Sequence, residues 1–270
     1  MNKQVIIIGA PRSGTNMLRN ALTAINGVET WPCDEINYIW RYGNAKHPSD
    51  ELDLTHAKQE TKKYIQKRFN KLQKKTKALA VVEKTCANSL RVPFVHSIFP
   101  KAEFVFIVRN GFDAVGSALL RWKSKPNLTY LAKKSRYVPI FDIPHYATRF
   151  FLNQVHLLFT KEKQLSFWGP MPKNMDLWLK NYSLLEVCAL QWKHCVEQAN
   201  IAFSANNSIK VHKIKYEHLV SNPNYEMEKL ASALDLPLTK KYSEYLKRTV
   251  RSSSIGKGQA ALNPKDFKNV

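Results

Sequence analysis

Short runs of apolar and β-branched residues alternate along the chain with longer stretches in which apolar positions recur at helical spacing. The apolar runs predict four strands, at residues 4–8, 79–83, 103–108 and 209–215. The helical pattern that follows the first strand consists of Met17, Leu18, Ala21, Leu22 and Ile25. This alternation predicts an α/β fold of three layers, with a parallel sheet between helices on both faces.

Residues 123–182 interrupt the pattern with prolines and aromatic residues, among them Pro126, Pro139, Pro144, Trp168, Pro170, Pro172 and Trp178. Helical spacing returns at residues 184–199 and again after Pro223. We interpret residues 123–182 as a helical and irregular insertion into one domain that spans residues 1–270. We find no internal repeat.

The first strand runs into the loop Gly9-Ala10-Pro11-Arg12-Ser13-Gly14-Thr15. A strand, a tight loop and a helix N-terminus form an anion cradle, because backbone N–H groups point at the ligand and the helix dipole favours negative charge. Gly9 and Gly14 have the spacing of the nucleotide-triphosphatase loop, but Thr15 stands where that loop has its lysine. The pattern therefore disfavours an ATP or GTP hydrolase and places the basic residue inside the loop, at Arg12.

A second segment has the same layout at the end of another predicted strand. Arg109 follows residues 104–108, Asn110 and Gly111 form a turn, and Ser117 falls in the first turns of the next helix. Ligands bind at the carboxyl edge of open α/β sheets. An arginine fork and a hydroxyl there can share one phosphate group.

Together these segments resemble the sulfotransferases that use 3′-phosphoadenosine 5′-phosphosulfate (PAPS). Pro11 to Thr15 matches the 5′-phosphosulfate loop P-[KR]-[ST]-G-[TS] in the arginine form of tyrosylprotein, bacterial and several carbohydrate sulfotransferases. Arg109 and Ser117 keep the spacing of the family's 3′-phosphate segment. The resemblance implies a P-loop-type sheet, PAPS as donor, PAP as product and no metal, with donor contacts from Pro11, Arg12, Ser13, Gly14, Thr15, Asn16, Arg109 and Ser117.

Three weaker segments add to the resemblance. Residues 210–223 are similar to the strand that places a tyrosine, here Tyr216, near the adenine. Residues 82–85 are similar to the strand end that brings a lysine, here Lys84, close to the sulfuryl group. Residues 251–258 resemble the late loop over the 3′-phosphate and add Ser254, Gly256 and Lys257 to the donor contacts. Lys257-Gly258 departs from the family pattern, so a flexible Ser/Gly-rich tail is the alternative for this segment.

Sulfuryl transfer needs a residue that neutralises the leaving phosphate and a base that takes the acceptor proton. The resemblance assigns the first role to Arg12, shared with Lys84. The resemblance implies that the base comes from the segment after the first helix, where we favour Glu35, with Asp34 as the alternative. The alternative in which neither residue is catalytic is that Asp34 caps a helix and Glu35 is exposed. Other candidate bases are His96, His145, His194 and His212.

The 270-residue chain has 42 basic and 21 acidic residues, a formal net charge of +21. Much of the excess lies in residues 58–77, a predicted helix whose basic face is either solvated or placed near an acidic acceptor. This charge also permits an anionic membrane as a partner. The sequence has no zinc-finger, homeodomain or RNA-recognition signature, so we expect no dedicated nucleic-acid binding. No apolar run reaches the ~20 residues of a membrane span.

The first strand begins close to Met1, so we expect no signal peptide and a cytoplasmic protein. Cys33, Cys86, Cys188 and Cys195 lack the spacing of a zinc or redox motif and are expected to be free thiols.

The leading hypothesis is transfer of a sulfuryl group from PAPS to a hydroxyl or amine acceptor, with a saccharide or glycan as acceptor and residues 123–182 binding it. A tyrosyl peptide or a small molecule is the alternative acceptor. A kinase-like, magnesium-dependent P-loop phosphotransferase is the second hypothesis. The third is a non-enzymatic protein that binds polyanions through residues 58–77.

Overall fold

The computed structural model describes residues 3–122, 135–148, 151–152 and 167–262. Within these residues the core is one parallel sheet of five strands in the order β2-β3-β1-β4-β5. The strands are β1 Lys3–Ile8, β2 Val28–Glu29, β3 Ala80–Lys84, β4 Glu103–Val108 and β5 Val211–Lys215. The four predicted strands and their parallel arrangement are confirmed. The two-residue strand β2 was missed because it is too short to show a pattern.

Helices lie between the strands and after them. The first five are α1 Thr15–Thr23, α2 Asn37–Trp40, α3 Gln59–Thr76, α4 Val92–Ile98 and α5 Gly111–Trp122. The later ones are Met175–Asn181, Leu184–Ala205, Tyr216–Ser221, Pro223–Ala233, Lys240–Thr249 and Lys257–Ala260. Short 3₁₀ helices occur at Leu54–His56, Cys86–Leu90, Ile140–Asp142 and Ser252–Ser254.

The sheet separates two hydrophobic cores, which confirms the prediction of helices on both faces. Ile6 and Ile8 of β1 belong to one core, together with Trp40 and Phe69 from the helical layer. Val5 and Ile7 belong to the opposite core, which is closed by α1 and the C-terminal helices. Successive residues of one strand thus enter different cores, as the two-residue period of a strand requires.

The order of the strands determines which strand ends lie next to each other at the edge of the sheet. The central strand β1 has β3 on one side and β4 on the other, so the chain order reverses beside it. Ile7 pairs with Lys84 at the end of β3, and Ile8 pairs with Phe106 near the end of β4. The loop after β1, Lys84 and Arg109 therefore share one edge of the sheet, at the position where ligands bind in open α/β folds.

Part of the predicted insertion packs on this body. Trp168, Met175 and Trp178 join a third apolar cluster with Trp122 of α5. The backbone N–H of Met171 donates to the buried Asp50 carboxylate at 2.9 Å. Residues 123–134, 149–150 and 153–166 of the insertion, with Pro126, lie outside the described residues.

The four cysteines are buried free thiols, as predicted. In the part of the chain that the structure describes, no helix is long and apolar enough to cross a membrane.

Candidate functional site

The loop between β1 and α1 turns through two left-handed residues. Arg12 has φ 66° and Gly14 has φ 84°. A Cβ at Gly14 would lie 2.3 Å from the Tyr216 ring, so this position accepts only glycine. The Ser13 hydroxyl is buried and has no hydrogen-bond partner among the described residues. Because an unpaired buried hydroxyl destabilises a protein, its position in this loop fits a site that is completed by a bound anion.

Two arginines from neighbouring strand ends meet beside the loop. Arg12 Nε donates to Ser117 Oγ at 2.9 Å, and Arg109 Nη1 donates to the Arg12 carbonyl oxygen at 3.0 Å. Burial, followed by the positive charges of Arg121 and Arg109, lowers the pKa of Arg12. These like charges are held close together, and an anionic ligand would relieve their repulsion. Arg121 was not among the predicted site residues.

Arg109 also joins Tyr216 to the late loop. Its guanidinium carbon lies 4.5 Å from the centroid of the Tyr216 ring, a cation–π contact. Its Nη2 donates to the Ser254 carbonyl oxygen at 2.6 Å, and the hydroxyls of Tyr216 and Ser254 are hydrogen-bonded to each other. The structure thus brings together four predicted donor contacts, Arg12, Arg109, Tyr216 and Ser254.

Asp113 holds the late loop against α5. Its carboxylate accepts hydrogen bonds from the backbone N–H groups of Gly256 at 2.8 Å, Gly258 at 2.9 Å and Gln259 at 3.1 Å. Burial alone would raise the pKa of Asp113, but these donors and Arg109 lower it overall. Residues 251–262 therefore pack against the domain instead of forming a loose tail.

Two glycines lie where α5 meets the late loop. A Cβ at Gly116 would lie 2.0 Å from the Gly258 carbonyl oxygen, and a Cβ at Gly258 would lie 2.0 Å from the Asp113 carbonyl oxygen. Gly256 adopts φ 78° in the same loop, and the Lys257 side chain is exposed. The Gly258 that departs from the family pattern is therefore required by packing. The sequence analysis gave Asp113 no role in the site, because the loop that it holds lies more than 140 positions further along the chain.

On the other side of the loop, Glu35 and Lys84 form an ion pair. Lys84 Nζ donates to Glu35 Oε1 at 2.9 Å, and the backbone N–H of Cys86 reaches the same oxygen at 3.3 Å. Burial alone would lower the pKa of Lys84, but the Glu35 charge raises it overall, so Lys84 is protonated. Cys86 Sγ lies 3.7 Å from Thr15 Oγ1, which places the pair next to the anion loop.

A buried network of hydrogen bonds lies next to the Glu35–Lys84 pair. Thr85 Oγ1 donates to Glu83 Oε1 at 2.5 Å and accepts the Ile36 N–H at 3.2 Å, while Asn88 Nδ2 donates to Glu83 Oε2 at 3.0 Å. Burial raises the pKa of Glu83 to about 7. The network fixes the residue next to Glu35. Sequence analysis missed Glu83, although a carboxylate in an apolar strand is itself a signal.

The alternative bases have other partners. Asp34 Oδ1 pairs with Arg19 Nη1 at 3.1 Å on α1. His194 contacts Glu51 and His212 contacts Glu103, each at 3.0 Å, and His96 Nε2 is buried. None of these ion pairs involves Lys84 or Arg12, whereas Glu35 pairs directly with Lys84. His145 packs against the Tyr146 ring.

Among the described residues, no group of three or more His, Cys, Asp or Glu side chains is arranged to hold a metal ion. The prediction of a metal-free reaction stays a prediction.

Known proteins supply an independent comparison. Residues 4–138, half of the chain, match the model of a family described as sulfotransferase family. A comparison with curated proteins found no sequence match.

Several solved structures share the fold. The chain is similar to the sulfotransferase domain from the curacin biosynthetic pathway, with 14% identity, a TM-score of 0.57 and coverage of 98% of this chain and 93% of that chain. It is similar to the sulfotransferase domain of the olefin synthase of Synechococcus PCC 7002, with 12% identity, a TM-score of 0.51 and coverage of 97% and 89%. For the sulfotransferase STF9 from Mycobacterium avium these values are 12%, 0.52, 98% and 76%. At these identities the likeness shows the fold alone.

Proposed function

This chain belongs to the sulfotransferase family, and we propose that it transfers a sulfuryl group from PAPS to a hydroxyl or amine acceptor by in-line displacement. The observation that carries the proposal is the convergence of Arg12, Arg109 and Ser117 on one side of the β1 loop, with the Glu35–Lys84 pair on its other side. Such a site offers anion-binding groups and an acid–base pair at the same sheet edge.

We propose that the donor lies along the loop after β1, and that different residues bind its phosphosulfate end and its 3′-phosphate. The backbone N–H groups of residues 12–16, together with the hydroxyls of Ser13 and Thr15, bind the phosphosulfate end. Arg109 and Ser117 bind the 3′-phosphate. The aromatic face of Tyr216 lies near the adenine, and the late loop covers the nucleotide through Ser254, Gly256 and Lys257.

The chemistry is assigned to three side chains. Glu35 takes the proton of the acceptor as the acceptor oxygen or nitrogen forms its bond to sulfur. The bond between sulfur and the bridging oxygen breaks, and its electron pair stays on the phosphate of PAP. Lys84 and Arg12 neutralise that charge. Lys84 has three N–H donors and uses one of them on Glu35, so it can contact the base and the leaving oxygen together.

A saccharide or glycan is the acceptor that we propose. Tyr38, three residues after Glu35, packs edge to face on Tyr146 at 4.4 Å between ring centroids, and Tyr42 stacks on Tyr64 at 3.7 Å. Aromatic walls with a few polar groups are usual in small-molecule sites. Because Tyr146 belongs to residues 123–182, we propose that this insertion forms the acceptor wall of a single domain spanning residues 1–270.

Product binding tests the donor assignment. PAP without magnesium should raise the melting temperature by about 5 °C or more at ~100 times its Kd, since binding to the folded state alone adds ~2.7 kcal/mol. The measurement is a thermal denaturation series with PAP, adenosine 5′-phosphate and ATP with magnesium. A shift with ATP and magnesium but none with PAP would replace the proposal by the phosphotransferase hypothesis.

The 3′-phosphate contact is tested separately. Arg109→Ala should weaken PAPS binding by about 10- to 100-fold, because a hydrogen bond to a charged group contributes ~1.5–3 kcal/mol. Binding of adenosine 5′-phosphosulfate, which lacks the 3′-phosphate, should change much less. Isothermal titration of both ligands measures the difference, and Ser117→Ala should show the same selectivity with a smaller loss. Equal losses for the two ligands would contradict the assignment.

A further inference from the structure

A short segment of the insertion presents large apolar side chains to solvent. Ile140 is 73% exposed and Phe141 is 91% exposed, and three more apolar side chains follow within residues 143–152. The five exposed side chains are Ile140, Phe141, Ile143, Phe151 and Leu152. We call these five the apolar tip. Exposed large apolar residues that occur together in one segment mark interaction surfaces.

The apolar tip is held outward by two tyrosines of the same segment. The Tyr137 ring lies 6.0 Å from the guanidinium carbon of Arg68 on α3, and it packs against the core. The Tyr146 ring packs on Tyr38, and burial raises the pKa of Tyr146 to about 12. Because the tyrosines attach the segment to the domain, Phe141 between them stays on the outer side.

A basic face lies on α3, the helix that Tyr137 contacts through Arg68. Lys71 and Lys75 follow Arg68 at spacings of three and seven residues, so they lie on the same face of α3, and both are exposed. This face extends over about 10 Å at ~1.5 Å per residue. Residues 135–148 carry one carboxylate, Asp142, and burial raises its pKa. The segment thus exposes apolar side chains and packs on a helix that carries a basic face.

We propose that the apolar tip and the basic face of α3 dock the protein on the surface of an anionic lipid bilayer. Exposed aromatic and aliphatic side chains enter the headgroup boundary, and adjacent lysines are attracted by anionic lipids. A second copy of the chain would bring two basic faces of a protein with charge +21 together. A free polyanion would use the lysines but gives Phe141 no role. The combination therefore favours the bilayer.

The test is co-sedimentation of the full chain with vesicles of phosphatidylglycerol and phosphatidylcholine in equal parts. We expect binding that is absent with pure phosphatidylcholine. Ile140→Ser with Phe141→Ser should lower the partition coefficient at least about tenfold. Lys71→Glu with Lys75→Glu should lower it similarly, since each lysine near the surface contributes about a fivefold attraction.

The matched control replaces exposed apolar side chains elsewhere, Ile201→Ser with Tyr225→Ser, and should bind like the wild type. Equal binding by the Ile140 and Phe141 variant, or no binding by the wild type, overturns the proposal. A dimer in light scattering that the Phe141 change dissociates, without vesicle binding, assigns the tip to a second copy. Binding to heparin that depends on Lys71 but not on Phe141, again without vesicle binding, assigns the basic face to a polyanion. None of these readouts requires donor binding or turnover.

Discussion

Glu35→Gln is expected to lower kcat by about 10²- to 10⁴-fold while PAP affinity stays near that of the wild type, because the amide cannot accept the acceptor proton. Glutamine keeps a carbonyl oxygen that can accept hydrogen bonds from Lys84 and Cys86, so the local packing is retained. Single-turnover rates, measured with an acceptor that the wild type sulfates, report the chemical step. Titration with PAP reports binding at the donor site separately.

Asp34→Asn is the matched control. Asp34 pairs with Arg19 on α1 and not with Lys84, so this variant should keep a rate within about threefold of the wild type, in line with the small contribution of a partly exposed ion pair outside the Glu35–Lys84 pair. If Asp34→Asn lost the rate and Glu35→Gln retained it, the base assignment would move to Asp34. If both variants were active, a histidine would become the candidate.

The anion loop and the strand ends could be predicted from the sequence because the information is local. Four apolar runs determined most of the sheet, and the loop from Gly9 to Thr15 lies between the first run and a helix with clear spacing. In a parallel sheet, carboxyl ends lie at one edge, so Arg109 and Lys84 could be placed beside the loop before the structure was known.

The contacts that orient the site could not be predicted, because they join residues far apart in the chain. Asp113 binds a glycine-rich loop near the C-terminus, and Glu83 holds Thr85 beneath Glu35. The choice between Glu35 and Asp34 depends on which of two consecutive side chains after α1 faces Lys84. The sequence pattern of this segment does not determine that direction. The structure shows that Glu35, not Asp34, contacts Lys84.

The charge of Arg12 is expected to be unfavourable for the free protein and necessary for the reaction. Arg12→Met keeps the unbranched stem of the side chain and removes its charge. We expect kcat to fall by about 10²- to 10³-fold, the usual effect of removing one group that stabilises transition-state charge. The melting temperature of the free protein should stay the same or rise, because burial and the charges of Arg121 and Arg109 disfavour the charged form of Arg12.

Arg12→Lys is the matched control, because it keeps the positive charge in the same loop. It should retain a rate within about tenfold of the wild type, since a lysine supplies the charge but not the fork of donors. Steady-state kinetics and thermal denaturation of the three proteins, each without ligand and with PAP, give the comparison. A normal rate for Arg12→Met would show that Arg12 takes no part in the chemical step. A fall in rate together with a fall in melting temperature would mean that Arg12 maintains the loop through Ser117 and does not act on the sulfuryl group.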